Sequence, residues 1–193
     1  MSARLIIVGP PGAGKGTQSR TLVEKFGLAY ISTGDIFRKN IADGTEMGKL
    51  AKHYIDEGNL VPDEVTDAMV RDRLSQDDAR IGFLLDGYPR NVHQVAELDR
   101  ILSDLGTKLD GVIQLDVSDD DVVARLTKRA EIEGRSDDEE GIVRHRLSVY
   151  HGQTQPVLAL YEERGDLLKI NGIGTVEEVL GRIEAALKPR LGE

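Results

Sequence analysis

The chain has 193 residues, no cysteine, and 34 acidic side chains against 25 lysines and arginines, for a net charge of −9. That length buries one sizeable core with room for small inserted lobes, and the lack of cysteine excludes disulfides, thiolate chemistry and cysteine zinc sites. So acidic a chain is a poor non-specific binder of nucleic acid or anionic membrane, and any anionic ligand must be met by local arginine clusters. The first residues run straight into a strand and no apolar run approaches membrane-spanning length, which gives the expectation of a soluble, cytoplasmic protein. No helical pattern shows a spare apolar face, so a monomer is expected.

Apolar runs alternate with helical periodicities throughout, the pattern of an α/β fold with a parallel sheet. Leu5-Ile6-Ile7-Val8 predicts a buried strand, followed by a helical pattern through Leu22, Val23 and Phe26. Leu28-Ala29-Tyr30-Ile31 predicts a second strand, and Ser32-Thr33-Gly34-Asp35 the start of a helix. From Ile36 to Pro62 only helical segments are found, with Met47, Leu50, Ala51, Tyr54 and Ile55 on one amphipathic face. This stretch is longer than a crossover needs and reads as an inserted lobe. Pro62-Asp63 opens a helix to about Gln76. Gly82 to Leu85 forms the third strand, ending on Asp86, and a helix carrying Val95, Leu98, Ile101, Leu102 and Leu105 closes at Gly106. Val112–Val117 is the fourth strand, and Ser118 to Asp121 cap the next helix. A polar stretch, Ala130 to Ser136, interrupts that helix. A long helical pattern then runs from Asp137 to about Arg164, with a break or kink demanded by Pro156. Leu167–Ile170 is the fifth strand, and Val176 to Leu187 the closing helix.

Chemistry concentrates in a few places. Gly9-Pro10-Pro11-Gly12-Ala13-Gly14-Lys15-Gly16-Thr17 stands between a strand and a helix. Its glycines let backbone N–H groups converge on an anion, the helix end adds a positive dipole, and Lys15 adds a point charge. This is a phosphate loop. Gly16 displaces the usual hydroxyl to Thr17, which leaves direct Mg²⁺ ligation by Thr17 open. Asp86, at a strand's carboxyl end, is placed to hold Mg²⁺ or its waters, and the turn Gly87-Tyr88-Pro89 presents Arg90 to phosphate. Arg38, Arg125, Arg129, Arg135, Arg144 and Arg146 supply further charge of the kind phosphoryl transfer needs. His53, His93, His145 and His151 lack any ligand-set spacing and read as surface or half-buried helix residues. The acidic run Asp137-Asp138-Glu139-Glu140 reads as solvated carboxylates capping the long helix, with gripping of arginines as a secondary role.

Taken together, these motifs resemble the adenylate kinases over nearly the whole chain. Gly9 to Thr17 is similar to that family's phosphate loop, Ser32 to Arg38 to the start of its AMP lobe, Asp86 to Arg90 with Gln94 to its signature, and Arg135 to Asp138 with Arg144 and Arg146 to the region after its lid. The resemblance implies a P-loop NTPase fold with a five-stranded parallel sheet flanked by helices, as one domain over 1–193. The core would be 1–31, 62–128 and 137–193, with a helical NMP-binding lobe at 32–61 and a short lid at 129–136 without zinc. It implies that Gly12, Ala13, Gly14, Lys15, Gly16, Thr17, Arg129 and Gly174 hold ATP. Thr33, Arg38, Asn59, Leu60, Val61, Gly87, Tyr88, Pro89, Arg90, Gln94, Arg135 and Arg146 would hold AMP. Lys15, Arg90, Arg125 and Arg144 would be catalytic, Arg125 and Arg144 on the transferred group. The implied reaction is Mg²⁺-dependent transfer from the co-substrate ATP to AMP, giving two ADP, with nucleotides as the only partners. The alternative is a UMP/CMP-type kinase, against which Thr33 and Gln94 favour AMP. A GTPase switch would need an Asn-Lys-x-Asp motif, which the chain lacks; a nucleotide-binding module without catalysis is set apart by an activity test.

Overall fold

Leu5, Ile6 and Ile7 are apolar without alternation because both sides of their strand are covered. In a computed structural model, which describes residues 2–192, they lie in β1 (Arg4–Val8) at the centre of a five-stranded parallel sheet. The other strands are β2 (Ala29–Ser32), β3 (Phe83–Asp86), β4 (Gly111–Asp116) and β5 (Leu167–Asn171). Their spatial order is β2-β3-β1-β4-β5. Each expected strand is present to within about one residue.

The helices fill the connections. α1 (Lys15–Phe26) follows β1, α2 (Thr33–Ala42) and α3 (Glu46–Asp56) follow β2, and α4 (Asp63–Leu74) and α5 (Asp77–Ile81) lead to β3. α6 (Val92–Asp104) joins β3 to β4. α7 (Asp119–Glu133), α8 (Glu140–Val149) and α9 (Gln155–Glu163) join β4 to β5, and α10 (Val176–Leu191) closes the chain. Leu5 and Ile7 point into a core with Leu22, Leu126 and Ile183, whereas Ile6 and Val8 point into the opposite core with Leu98, Val157 and Tyr161. No helix among the described residues is long and apolar enough to cross a membrane.

The register puts Ile7 and Ser32 both opposite Asp86. The loop after β1, the end of β2 and the end of β3 therefore share one edge. Because β3 and β4 flank β1 on opposite sides, connections diverge there and leave a crevice.

Several local expectations are corrected. α7 continues through Glu133 and ends at Gly134 (φ 60°), so Ala130 to Glu133 are helical and the polar interruption is shorter than expected. The long helix starts at Glu140 rather than Asp137, which lies in a 3-10 turn, Ser136–Asp138. At the expected break, α8 and α9 are joined by a π turn, Tyr150–Thr154, in which Gln155 N–H donates to the Tyr150 carbonyl; Pro156 sits in the first turn of α9. Leu50 and Leu105 are exposed members of otherwise apolar faces. The short α5 has no apolar period and was not legible.

Ile6 is fully buried on the central strand. Truncation there leaves a cavity that neither helix layer can close, so Ile6→Ala is expected to lower unfolding free energy by about 3 kcal/mol in denaturant titrations.

Candidate active site

At the carboxyl edge of β1, β2 and β3 the chain encloses a cleft of about 570 Å³, a size suited to small-molecule ligands. Eight lysines and arginines line it against four aspartates and glutamates. The charge balance of this acidic chain is locally inverted, which favours an anionic ligand.

The floor is the loop after β1. Gly12 (φ 78°) and Gly14 (φ 96°) take left-handed backbone, and a Cβ on Gly12 would come within 2.8 Å of Leu126. α1 begins at Lys15 with no side-chain cap. Gln18 makes the first intrahelical bond, to Gly14, so earlier N–H groups lack helical acceptors. Lys15 Nζ folds back to donate to the carbonyls of Gly9 and Pro10, each at 2.9 Å. Desolvation pushes its pKa down to about 7; Asp86 opposes this, while Arg90, Arg146 and Arg129 reinforce it.

The second wall is the turn after β3. Asp86 is buried, and the Tyr30 hydroxyl donates to its Oδ2 at 2.9 Å. Burial and the Asp86 charge raise the Tyr30 pKa, so it stays a donor. Gly87 (φ 86°) passes so close to Thr33 that a Cβ would sit 2.7 Å from its Oγ1. The Gly87 carbonyl accepts from Thr33 Oγ1 (3.0 Å) and Arg90 Nε (2.9 Å), and Thr154 Oγ1 in the π turn donates to the Arg90 carbonyl at 2.7 Å. Arg90 forms no ion pair among the described residues, and desolvation lowers its pKa. Gln94 is buried, with Oε1 accepting from Arg90 N–H at 2.7 Å.

The third wall is a set of arginines held from behind. Arg129 donates through Nε and Nη2 to Asp138, both at 2.6 Å, and Arg146 reaches the same carboxylate at 2.8 Å. Arg135 grips Asp137 at 3.0 and 2.9 Å. Burial raises the Asp137 pKa, but the Arg135 hydrogen bond and the charges of Arg146, Arg135 and Arg38 outweigh it and hold the group at about 2. Arg146 is lowered to about 10, first by desolvation. The acidic run therefore divides: Glu139 and Glu140 are the exposed carboxylates expected at the start of the helix, whereas Asp137 and Asp138 are buried and gripping arginines is their main role.

The family model described as adenylate kinase matches residues 7–166. An adenylate kinase of Thermobifida fusca is 57% identical over 187 residues, covering 97% of this chain and 99% of the relative. Adenylate kinases of Kocuria rhizophila (56% identical; 96% and 98% covered) and Clavibacter michiganensis (54%; 97% and 94%) are similar over the same extent. The chain belongs to the adenylate kinase family.

Most residues that the resemblance to adenylate kinases pointed to do line this cleft. Gly12, Gly14, Lys15, Gly16 and Thr17 lie on the floor; Asp86, Gly87, Tyr88, Pro89, Arg90 and Gln94 on the second wall. Thr33, Arg38, Asn59, Leu60 and Val61 come from the segment 32–61, and Arg125, Arg129, Arg135 and Arg146 from beyond β4. Tyr88 turns its hydroxyl away from the cleft, donating to Asp67 at 2.7 Å. Ala13 contributes its carbonyl to Arg125 rather than lining the cleft. Gly174 lies outside the lining, in the loop where Gly172 O accepts from Arg125.

Arg144 is the clear departure. Two residues apart on α8, Arg144 and Arg146 point about 200° apart; Arg146 faces the cleft, while Arg144 is exposed and pairs with Glu140 at 2.8 Å. Sequence reasoning missed Arg20 and Tyr30, which also line the cleft; Arg20 lies one helical turn after Gly16 and could have been found from that spacing. All four histidines are exposed. The outer walls touch: Ser136 Oγ donates to Asp56 at 2.8 Å, and His145 Nε2 lies 2.6 Å from Asn59 Oδ1.

Asp138→Ala is expected to lower kcat about 100-fold by releasing Arg129 and Arg146, and to cost about 3 kcal/mol of stability. Arg144→Ala should leave kcat within about twofold, as for an exposed pair. Steady-state kinetics and denaturation of the two variants check both.

Proposed function

We propose that the chain catalyses reversible, Mg²⁺-dependent transfer of the terminal phosphoryl group of ATP to AMP, giving two ADP. The observation that carries this reading is that one cleft joins a phosphate loop, an arginine cluster and a second polar pocket around Thr33 and Gln94. A hydrolase has no use for the last of these; a kinase with a nucleotide acceptor needs all three.

The donor's phosphates would lie over the free N–H groups at the start of α1, with Lys15 on the distal ones. The acceptor's phosphate would meet Arg90, Arg38 and Arg135. Arg129 and Arg146, fixed on a common carboxylate, would stabilise charge on the group in transit. Arg125, bonded to the carbonyls of Ala13 and Gly172, would lie beside the donor site, a reading that exchanges the roles the resemblance implies for Arg125 and Arg129. Such transfer needs no protein nucleophile.

Among the described residues no group of three or more His, Asp or Glu is placed to hold a metal. Mg²⁺ characteristically takes one or two carboxylates and completes its shell with phosphates and water. The buried carboxylate of Asp86, in the same cleft as Lys15, fits that role. When bound, Mg²⁺ would neutralise charge on the donor's distal phosphates. We read 32–61 as a lobe over the acceptor and 129–136 as a short lid, and their contacts through Asp56 and Ser136 support water exclusion on closure.

Purified protein with Mg·ATP and, separately, AMP, CMP, UMP, GMP or water should form diphosphate with AMP and release little phosphate with water. Lys15→Met is expected to reduce the AMP reaction at least 100-fold. A preference for a pyrimidine acceptor, or ATP hydrolysis as fast as transfer, would overturn the reading.

A further inference from the structure

We propose that Asp63, which does not line the cleft, sets its choice of base by locking the Gln94 carboxamide in one orientation. The inference rests on the reading of that pocket as the AMP site.

A carboxamide offers two N–H donors and two oxygen lone pairs. In Gln94 one lone pair is taken by Arg90 N–H at 2.7 Å, and one N–H by Asp63 Oδ1 at 2.9 Å. One donor and one acceptor remain, and Gln94 borders the cleft. Turning the amide over would set its N–H groups against Arg90 N–H and its oxygen against the Asp63 carboxylate. Both contacts would be repulsive and are partly shielded from water, so the flip is disfavoured at both ends.

Asp63 is itself held in position. Its Oδ1 also accepts from Asn91 Nδ2 at 2.9 Å, and Asn91 Oδ1 caps α6 by accepting Gln94 N–H at 2.9 Å. His93 Nδ1 lies 3.3 Å from Oδ2. The first residue of α4 and the first turn of α6 thus form one small network that reaches the cleft through the Gln94 amide.

The edge of adenine carries an acceptor at N1 and a donor on the 6-amino group. Hypoxanthine has the same size and shape with that order reversed, a donor at N1 and an acceptor at O6. A locked amide accommodates the first and not the second; a free amide would turn to suit either. Asp63 is therefore a positioning residue for specificity. It touches neither substrate nor the reacting atoms.

The test compares kcat/KM for AMP and for IMP, at saturating Mg·ATP, in the unsubstituted enzyme, Asp63→Asn and Asp63→Ala. The amide introduced by D63N can present either oxygen or N–H to Gln94, so it removes the Asp63 end of the lock while keeping the side chain's shape, and leaves only the Arg90 N–H at the other end. The AMP-to-IMP ratio is expected to fall roughly tenfold in D63N and at least as far in D63A, with KM for ATP within about twofold of the unsubstituted enzyme. A ratio of rates is independent of the fraction of protein folded, so loss of stability cannot mimic the effect. A ratio within about twofold of the unsubstituted enzyme in D63N would overturn the proposal and leave Asp63 as the start of a helix. Failure of the unsubstituted enzyme to use AMP would instead overturn the reading of the pocket.

Discussion

Gathering like charge in a desolvated cleft is the constraint on which the rest of this structure depends. Lys15 is driven down to about 7 and Arg146 to about 10, first by loss of water and then by their cationic neighbours. Arg90 is lowered for the same first reason. Left alone, such a group of cations would repel itself apart or lose protons. Asp137 and Asp138 relieve part of that cost from behind the arginines, and Asp86 relieves part from beneath Lys15. The relief is incomplete within the lining, where cations outnumber carboxylates two to one. The remainder is what the phosphates of two bound nucleotides would supply.

The fold serves this cluster by fixing where its members leave the backbone. Strand register brings Ser32, Asp86 and the loop after β1 to one edge. The close approach of Gly87 to Thr33 then ties the second strand to the third at the point where Arg90 is presented, and Thr154 anchors the far side of that turn. A π turn at this point is consistent with the use of wide helical turns at functional sites. It lets α8 direct Arg146 into the cleft while α9 packs on the sheet. The start of α1 and the end of β3 therefore carry Lys15 and Asp86, the hydrogen-bonded turn after β3 carries Arg90, and α7 and α8 carry Arg125 and Arg146. The segments 32–61 and 129–136 bring Thr33, Arg38, Arg129 and Arg135.

Much of this was legible in the sequence because it is local. A strand, a glycine-rich turn, a lysine and a helix follow one another without a break, and Asp86 to Arg90 forms a similarly local run after β3. What escaped depends on contacts distant in sequence or on helical phase. Asp137 and Asp138 look like any solvated acidic run until Arg129, Arg135 and Arg146 are seen to converge on them. Arg144 and Arg146 differ only in which side of α8 they occupy; each stands about 80° from the buried Val143–Leu147 stripe, on opposite sides, so that stripe does not choose between them. Tyr30 reads as one more strand residue, yet its hydroxyl holds Asp86 across 56 positions of sequence. Asp63 reads as a helix start and is also the partner of Gln94, 31 positions away. Composition alone could announce that arginines must cluster; it could not say which.

The central claim is that this cleft is electrostatically incomplete until phosphate arrives. The most direct measurement is the pH titration of the Lys15 side-chain nitrogen by NMR, in protein labelled on lysine, without nucleotide and with bound ATP. The account predicts a midpoint near 7 in the free protein, rising by more than about one unit with ATP because the triphosphate favours the charged amine. ATP binding above pH 7 would accordingly take up a proton and weaken as pH rises. A midpoint near the ordinary lysine value of about 10.4 in both states would contradict it.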